Sequence, residues 1–217
     1  MYDIVTTVLE ILGTISFAVS GALVAIGRKL DLFGVLFLGC ITATGGGMVR
    51  DVLIGYVPPS IFSNSGIIII SALTSVLVFV VSYINRKHFS KFSHRIESIN
   101  NIFDALGLSV FTVLGTETAC VAGFHDKALF CILMGMITGV GGGIFRDVLA
   151  DKTPYVLKKH VYAMASLCGS AVYYFIHPVI DGMVIPAVIA MVLVFAIRML
   201  ATRYLWQLPK IELEEEK

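Results

Sequence analysis

The sequence predicts an all-α integral membrane protein of seven transmembrane helices, arranged as two inverted three-helix repeats plus a seventh helix. Three observations predict it. Of 217 residues, 57% are hydrophobic and 14% charged, with a mean hydropathy of +0.90, more apolar surface than one globule of this size can hide. Seven apolar stretches reach the roughly 20 residues needed to cross about 30 Å of hydrocarbon. Finally, the nonapeptide GGGMVRDVL at Gly45 to Leu53 recurs as GGGIFRDVL at Gly141 to Leu149, 96 positions later.

Taken in order, the stretches run over 4–26, 33–57, 66–84, 100–122, 128–150, 159–177 and 183–205. The first lacks a basic leader and carries Glu10, so it reads as a span rather than a signal peptide. Turn-forming breaks separate the spans, including Val57-Pro-Pro-Ser60, Asp151-Lys-Thr-Pro154 and His177-Pro178. With the N-terminus outside, the inner loops and tail hold 13 of the 16 Lys and Arg residues, among them Arg28, Lys29, Arg198 and Arg203. Lys127 alone lies outside, and Arg50 and Arg146 fall within spans. The positive-inside rule therefore predicts an N-terminus outside and a cytoplasmic C-terminus, in the cell's inner (plasma) membrane.

The repeat reaches beyond the nonapeptides. Thr42 corresponds to Thr138 and Pro58 to Pro154 at an offset of 96, while Glu10 corresponds to Asp104 and Phe17 to Phe111 at an offset of 94. Three spans per repeat is an odd number, so the second copy enters the membrane inverted. The expected organisation is a first repeat over 1–84, a basic cytoplasmic linker over 85–98, a second repeat over 99–178, a seventh helix over 179–206 and an acidic tail over 207–217.

The chemistry concentrates at the doubled motif. Three adjacent glycines lower helix propensity by about 2 to 3 kcal/mol relative to alanine. Gly45, Gly46 and Gly47, like Gly141, Gly142 and Gly143, therefore either let another helix approach closely or break the span and expose backbone beside water. Arg50 with Asp51 and Arg146 with Asp147 place charge inside spans, where an arginine costs roughly 2.5 to 3.5 kcal/mol and needs a partner or water. Adjacent helical residues point about 100° apart, so each arginine is expected to pair elsewhere than with its neighbouring aspartate. Structural ion pairs and a water-filled pathway both fit these charges. Glu117, Glu10 and Asp104 are weaker pathway residues, the last two read as solvated at opposite interfaces.

Other chemistries are excluded on their patterns. The glycines do not match GxGxxG or a P-loop, and no TVGYG filter is present. The five histidines form no metal-binding constellation, and the four cysteines, lacking CxxC spacing, read as free thiols. No enzyme activity, metal or cofactor is expected on these patterns, and a net charge of +1 argues against a nucleic-acid partner.

Two copies of GGGxxRDV in an inverted three-plus-three arrangement with a seventh span resemble the trimeric intracellular cation channel (TRIC) family in its prokaryotic form. The resemblance implies a homotrimer, contacting membrane lipids, with one monovalent-cation pore per subunit, permeable chiefly to potassium. It implies that helices two and five kink at Gly45 to Gly47 and Gly141 to Gly143 and border that pore. Arg50, Asp51, Arg146 and Asp147 then become its charged lining, with Ser16, Ser20, Thr42, Thr44, Glu117 and Thr138 as polar lining. Eukaryotic members carry Lys-Glu-Val where this chain has Arg50-Asp51-Val52, so their lipid-head-group binding carries over only weakly. Some bacterial relatives have been regarded as glycine-type solute transporters. A zwitterion could use the same arginines and carboxylates, and the residues alone leave channel and transporter both open.

Overall fold

The computed structural model describes residues 2–63, 65–85, 93–158 and 161–206. Hydrocarbon offers the backbone no hydrogen-bonding partner, so each apolar run closes its amides and carbonyls on itself as a helix. The elements are α1 (Tyr2–Gly27), α2 (Leu32–Ile54), α3 (Ser65–Ile84), α4 (Ser93–Ala119), α5 (Ala128–Leu149), a single turn α6 (Tyr155–Lys158), α7 (Val161–Ile176) and α8 (Val184–Arg203). Every regular element among the described residues is helical. Six of them are long and apolar enough to cross a membrane; α7, with 16 residues, falls short of that length. At 1.5 Å per residue it is about 24 Å long. A π-helical turn, Cys120–Phe124, extends α4 until Gly123 takes φ +95°.

Several boundaries differ from the sequence expectation for identifiable reasons. The second span was expected to run to residue 57, but α2 stops at Ile54 because Gly55 adopts φ +89° and Tyr56 N–H donates back to the Asp51 carbonyl at 2.8 Å. The matched end of α5 does the same with an aspartate. Asp151 takes φ +51° and Lys152 N–H donates to the Asp147 carbonyl at 2.8 Å. Both terminations satisfy carbonyls that a helix end would leave orphaned. At its other end, α2 starts where Asp31 accepts the Gly34 amide at 2.8 Å. Helix α4 begins at Ser93, within the segment read as a linker. Linker residues 86–92 and the tail 207–217 lie outside the described residues.

Helices α1, α2, α4 and α5 pack on one another to form the centre. Helix α3 leans on α1 and α2, α7 leans on α4 and α5, and α8 covers α4 and α7. One tie joins the halves at the end of α1. Arg28 Nε donates to the Ala150 carbonyl at 2.6 Å and its Nη2 to the Asp151 carbonyl, capping α5 with a cation where the helix dipole favours one. Because Arg28 is partly exposed, Arg28→Ala is expected to cost about 1 kcal/mol. That loss should read as a fall of roughly 2 to 4 °C in melting temperature.

Candidate functional site

The glycine triplets mark the place where α2 and α5 cross. Both helices run unbroken through them, so the expected break that would expose carbonyls does not occur. What glycine provides there is proximity. A Cβ on Gly46 would lie 2.1 Å from the Thr138 carbonyl oxygen, and one on Gly142 would lie 2.0 Å from the matched Thr42 oxygen. A Cβ on Gly141 would meet Gly46 Cα at 2.8 Å. The backbones therefore touch along a seam where no side chain fits. Beside it, the matched rings of Phe17 and Phe111 meet at 5.2 Å. Gly47 differs, since its nearest neighbour would be Arg50 Nη2 at 3.7 Å.

On one side of the crossing lies a cavity of about 270 Å³ lined by α1, α2, the turn after α2, the start of α3, and α4. Its charges are Glu10, Arg50, Asp51 and Glu117, and Thr14 and Thr44 join them. Arg50 folds back onto its own neighbour. Its Nη2 reaches Asp51 Oδ1 at 2.7 Å and its Nε reaches the same oxygen at 2.9 Å. The other oxygen, Asp51 Oδ2, accepts the Ser60 amide at 2.9 Å and its hydroxyl at 2.6 Å. Glu117 accepts from Tyr173 Oη at 2.8 Å.

Arg146 and Asp147, the counterparts of Arg50 and Asp51, pair in the same way in a buried setting. Arg146 Nε donates to Asp147 Oδ1 at 2.9 Å, and Asp147 Oδ2 accepts the Tyr155 amide at 2.9 Å. Here, however, the arginine also binds Asp104 Oδ1 and Ser20 Oγ, both at 2.6 Å from Nη1. Arg198 on α8 approaches Asp104 Oδ2 at 3.5 Å, donates to Asn101 Oδ1 at 3.1 Å and stacks over the Tyr162 ring at 4.6 Å. Arg146, Asp104, Asp147, Arg198 and Tyr162 are all at most 2% exposed. A second cavity, about 550 Å³, opens nearby between the end of α1 and the start of α4. Its Asn100, Leu23 and Val24 match Thr6, Glu117 and Thr118 of the first cavity at the offset of 94. Lys29, Glu97 and Lys152 charge it. Burial, and then the nearby Arg28 charge, push the Lys152 ammonium below the usual lysine range.

Several expectations change. Each Arg-Asp pair does bond to itself, contrary to the helical-wheel argument, because an arginine stem is long enough to curl round while the aspartate sits at the helix end. Asp104 is no interfacial carboxylate but the shared anion of two buried arginines. Arg198, counted among cytoplasmic charges, is buried; its place well inside an apolar run was the signal for that. Arg50, Asp51, Thr44, Gly47 and Glu117 line the first cavity, while Arg146 and Asp147 line neither cavity. Ser20 joins the buried cluster. Ser16 donates to Leu12 of its own helix at 2.7 Å and stands apart. Thr42 and Thr138 donate to Leu38 and Met134 within their helices, leaving their carbonyls to form the crossing. Gly45 and Gly143 accommodate Phe145 and the Tyr162 hydroxyl.

An apolar helical bundle that encloses charged cavities beside a tight helix crossing is the architecture of a multi-pass membrane protein with a polar interior. Comparison with known proteins agrees. A family model described as Glycine transporter matches twice, over residues 7–83 and 101–178, once on each repeat. The inner membrane protein YadS of Escherichia coli K12, of the UPF0126 group, is 36% identical over 214 residues, 95% of this chain and 96% of YadS. YvgT of Bacillus subtilis, a UPF0126 membrane protein, is 37% identical over 164 residues, 76% of this chain and 77% of its own length. The crystal structure of a prokaryotic TRIC channel in 0.5 M KCl superposes with a TM-score of 0.83 at 35% identity, covering 96% of this chain and all of that one. The TRIC trimeric intracellular cation channel orthologue from Rhodobacter sphaeroides matches at 28% identity and a TM-score of 0.83, over 93% of this chain and 99% of its own. The chain belongs to the prokaryotic branch of the TRIC channel family.

Proposed function

We propose that the protein is a monovalent-cation channel, permeable chiefly to potassium, with one pathway through each subunit of a homotrimer in the inner membrane. The observation that carries this reading is the first cavity, where three carboxylates, Glu10, Asp51 and Glu117, face one arginine. The arginine is no barrier to cations there. Its charge is tied to Asp51 at 2.7 Å, and three carboxylates against one guanidinium make the cavity attractive to a cation. The matched lining of the second cavity supports a single route seen from its two ends, with the α2–α5 crossing between them. Equivalent bonds at Arg50-Asp51 and Arg146-Asp147 support two inverted repeats. In that arrangement α7 crosses as the sixth span and α8 as the seventh, with the N-terminus outside. TRIC relatives bring the homotrimer and the cation.

Purified protein in liposomes tests the reading through fluxes of potassium, sodium, chloride and glycine. Non-saturating potassium current above chloride is the expected result. The family model's description and the meeting of Arg50 with carboxylates favour the transporter alternative, and saturable glycine exchange without unitary current would establish it instead. Within the channel, Asp51→Asn should lower potassium conductance more than tenfold. A charge about 6 Å from a passing ion is worth roughly 2 to 3 kcal/mol at an effective dielectric near 20. Arg50→Gln added to it should restore part of the current, and unchanged unitary conductance in Asp51→Asn would remove that residue from the pathway.

A further inference from the structure

The two repeats carry the same trio of charges, yet one trio opens to a cavity and the other is shut. Glu10, Arg50 and Asp51 line about 270 Å³ of space. Their counterparts Asp104, Arg146 and Asp147 are buried, at most 2% exposed. Two side chains outside the trio account for the difference. Arg198 comes from α8, which the family model leaves unmatched and the first repeat does not possess. Tyr162 fills the space beside Gly143, where a Cβ would meet its hydroxyl at 2.6 Å; beside the matched Gly47 nothing comes closer than 3.7 Å. Charge follows the same division. Each trio alone holds two carboxylates and one guanidinium, and only the second is made neutral, by Arg198.

Arg198 is held loosely for a buried guanidinium. Its Nη2 makes a 3.1 Å bond to Asn101 and a 3.5 Å contact to Asp104, both longer than the hydrogen bonds that hold Arg146. Arg146, by contrast, binds Asp104 at 2.6 Å and Asp147 at 2.9 Å, so Asp104 keeps a partner when Arg198 leaves. A neutral cluster sheds water, and a trio with one uncompensated carboxylate draws it in.

We propose that α8 is a latch: Arg198, lying on Asp104 and over Tyr162, neutralises the second trio and shuts it off from the second cavity, and its release joins trio and cavity into a vestibule like the first. The latch rests on the channel reading, and the test separates the two. In a chain whose four cysteines are replaced by alanine, Thr44→Cys puts a thiol in the first cavity. Silver ion, close to potassium in size and thiol-reactive, is applied to either side of a planar bilayer. With Arg198 present, block is expected to be fast from the first-cavity side and slow from the other. Arg198→Gln should speed block from the second side at least tenfold and raise open probability, while Arg198→Lys should stay near the parent. No current overturns the channel reading itself, and current with no block from either side removes the first cavity from the pathway and overturns the latch with it. Current and first-side block with no change in Arg198→Gln overturns the latch alone. If Arg198→Gln does not fold, Arg198→Met, which keeps the stem against the Tyr162 ring, carries the measurement. Failure of both to fold assigns Arg198 to stability and also overturns the latch.

Discussion

Gly46→Ala and Gly142→Ala are each expected to destabilise the protein by about 2 to 3 kcal/mol, as forced overpacking does. A single methyl there would stand 2.1 Å or 2.0 Å from a carbonyl oxygen of the facing helix. The obstacle is backbone, not the tip of a flexible chain, so relief requires α2 and α5 to move apart. Their seam continues through Gly141 against Gly46, and separation would loosen Phe17 as well. Gly47→Ala is the control within the same triplet. Its methyl meets nothing closer than 3.7 Å, and the gain in helix propensity should hold its melting temperature level or raise it. Melting curves of the three variants in one detergent decide the matter. Wild-type melting in Gly46→Ala and Gly142→Ala with altered conductance would mean that the triplets act on the pathway rather than on the crossing.

That result bears on what the sequence could reveal. The doubled GGGxxRDV identified the elements that matter, since a repeat at a fixed offset survives without knowledge of contacts. Even the offset of 94 recurs in space, as Gly13 lies under Phe111 while the matched Gly107 lies under the matched Phe17. The purpose of the glycines was harder to read. Close approach and helix breakage leave the same residues in a sequence, and only the distance to Thr42 and Thr138 across the seam separates them. Span ends drifted for a local reason. Apolar residues such as Val57 continue past α2, whereas the helix stops where Gly55 turns left-handed.

Charges misled through geometry rather than composition. A helical wheel treats side chains as spokes of equal length, and so it separates Arg50 from Asp51. The guanidinium in fact sits several bonds from its Cα and curls back to 2.7 Å. Glu10 and Asp104 occupy matched positions near span ends, and pattern alone gives them one fate. The difference between them comes from α8 and α7, which bring Arg198 and Tyr162 to one and not the other. Such pairing across about 60 to 100 positions has no local signature, beyond the oddity of an arginine in the run AMVLVFAIRML.

The matched carboxylates therefore should respond in opposite ways to the same change. Asp104→Asn leaves Arg146 and Arg198 buried with Asp147 as the remaining carboxylate, and breaking a buried ion pair from one side typically costs about 3 to 5 kcal/mol. Loss of folded protein, or a fall in melting temperature of roughly 6 °C or more, is the expected outcome. Adding Arg198→Gln removes one uncompensated cation and should recover a large part of that stability. Glu10→Gln faces a cavity of about 270 Å³ instead of two arginines, so its melting should shift little, while potassium conductance falls because the first cavity loses one of its three carboxylates. Measuring melting and unitary conductance on the same preparations of both variants makes the contrast decisive. Equal effects on stability would mean that the two trios share one environment in the membrane, and the distinction between an open and a shut end of the protein would fall with it.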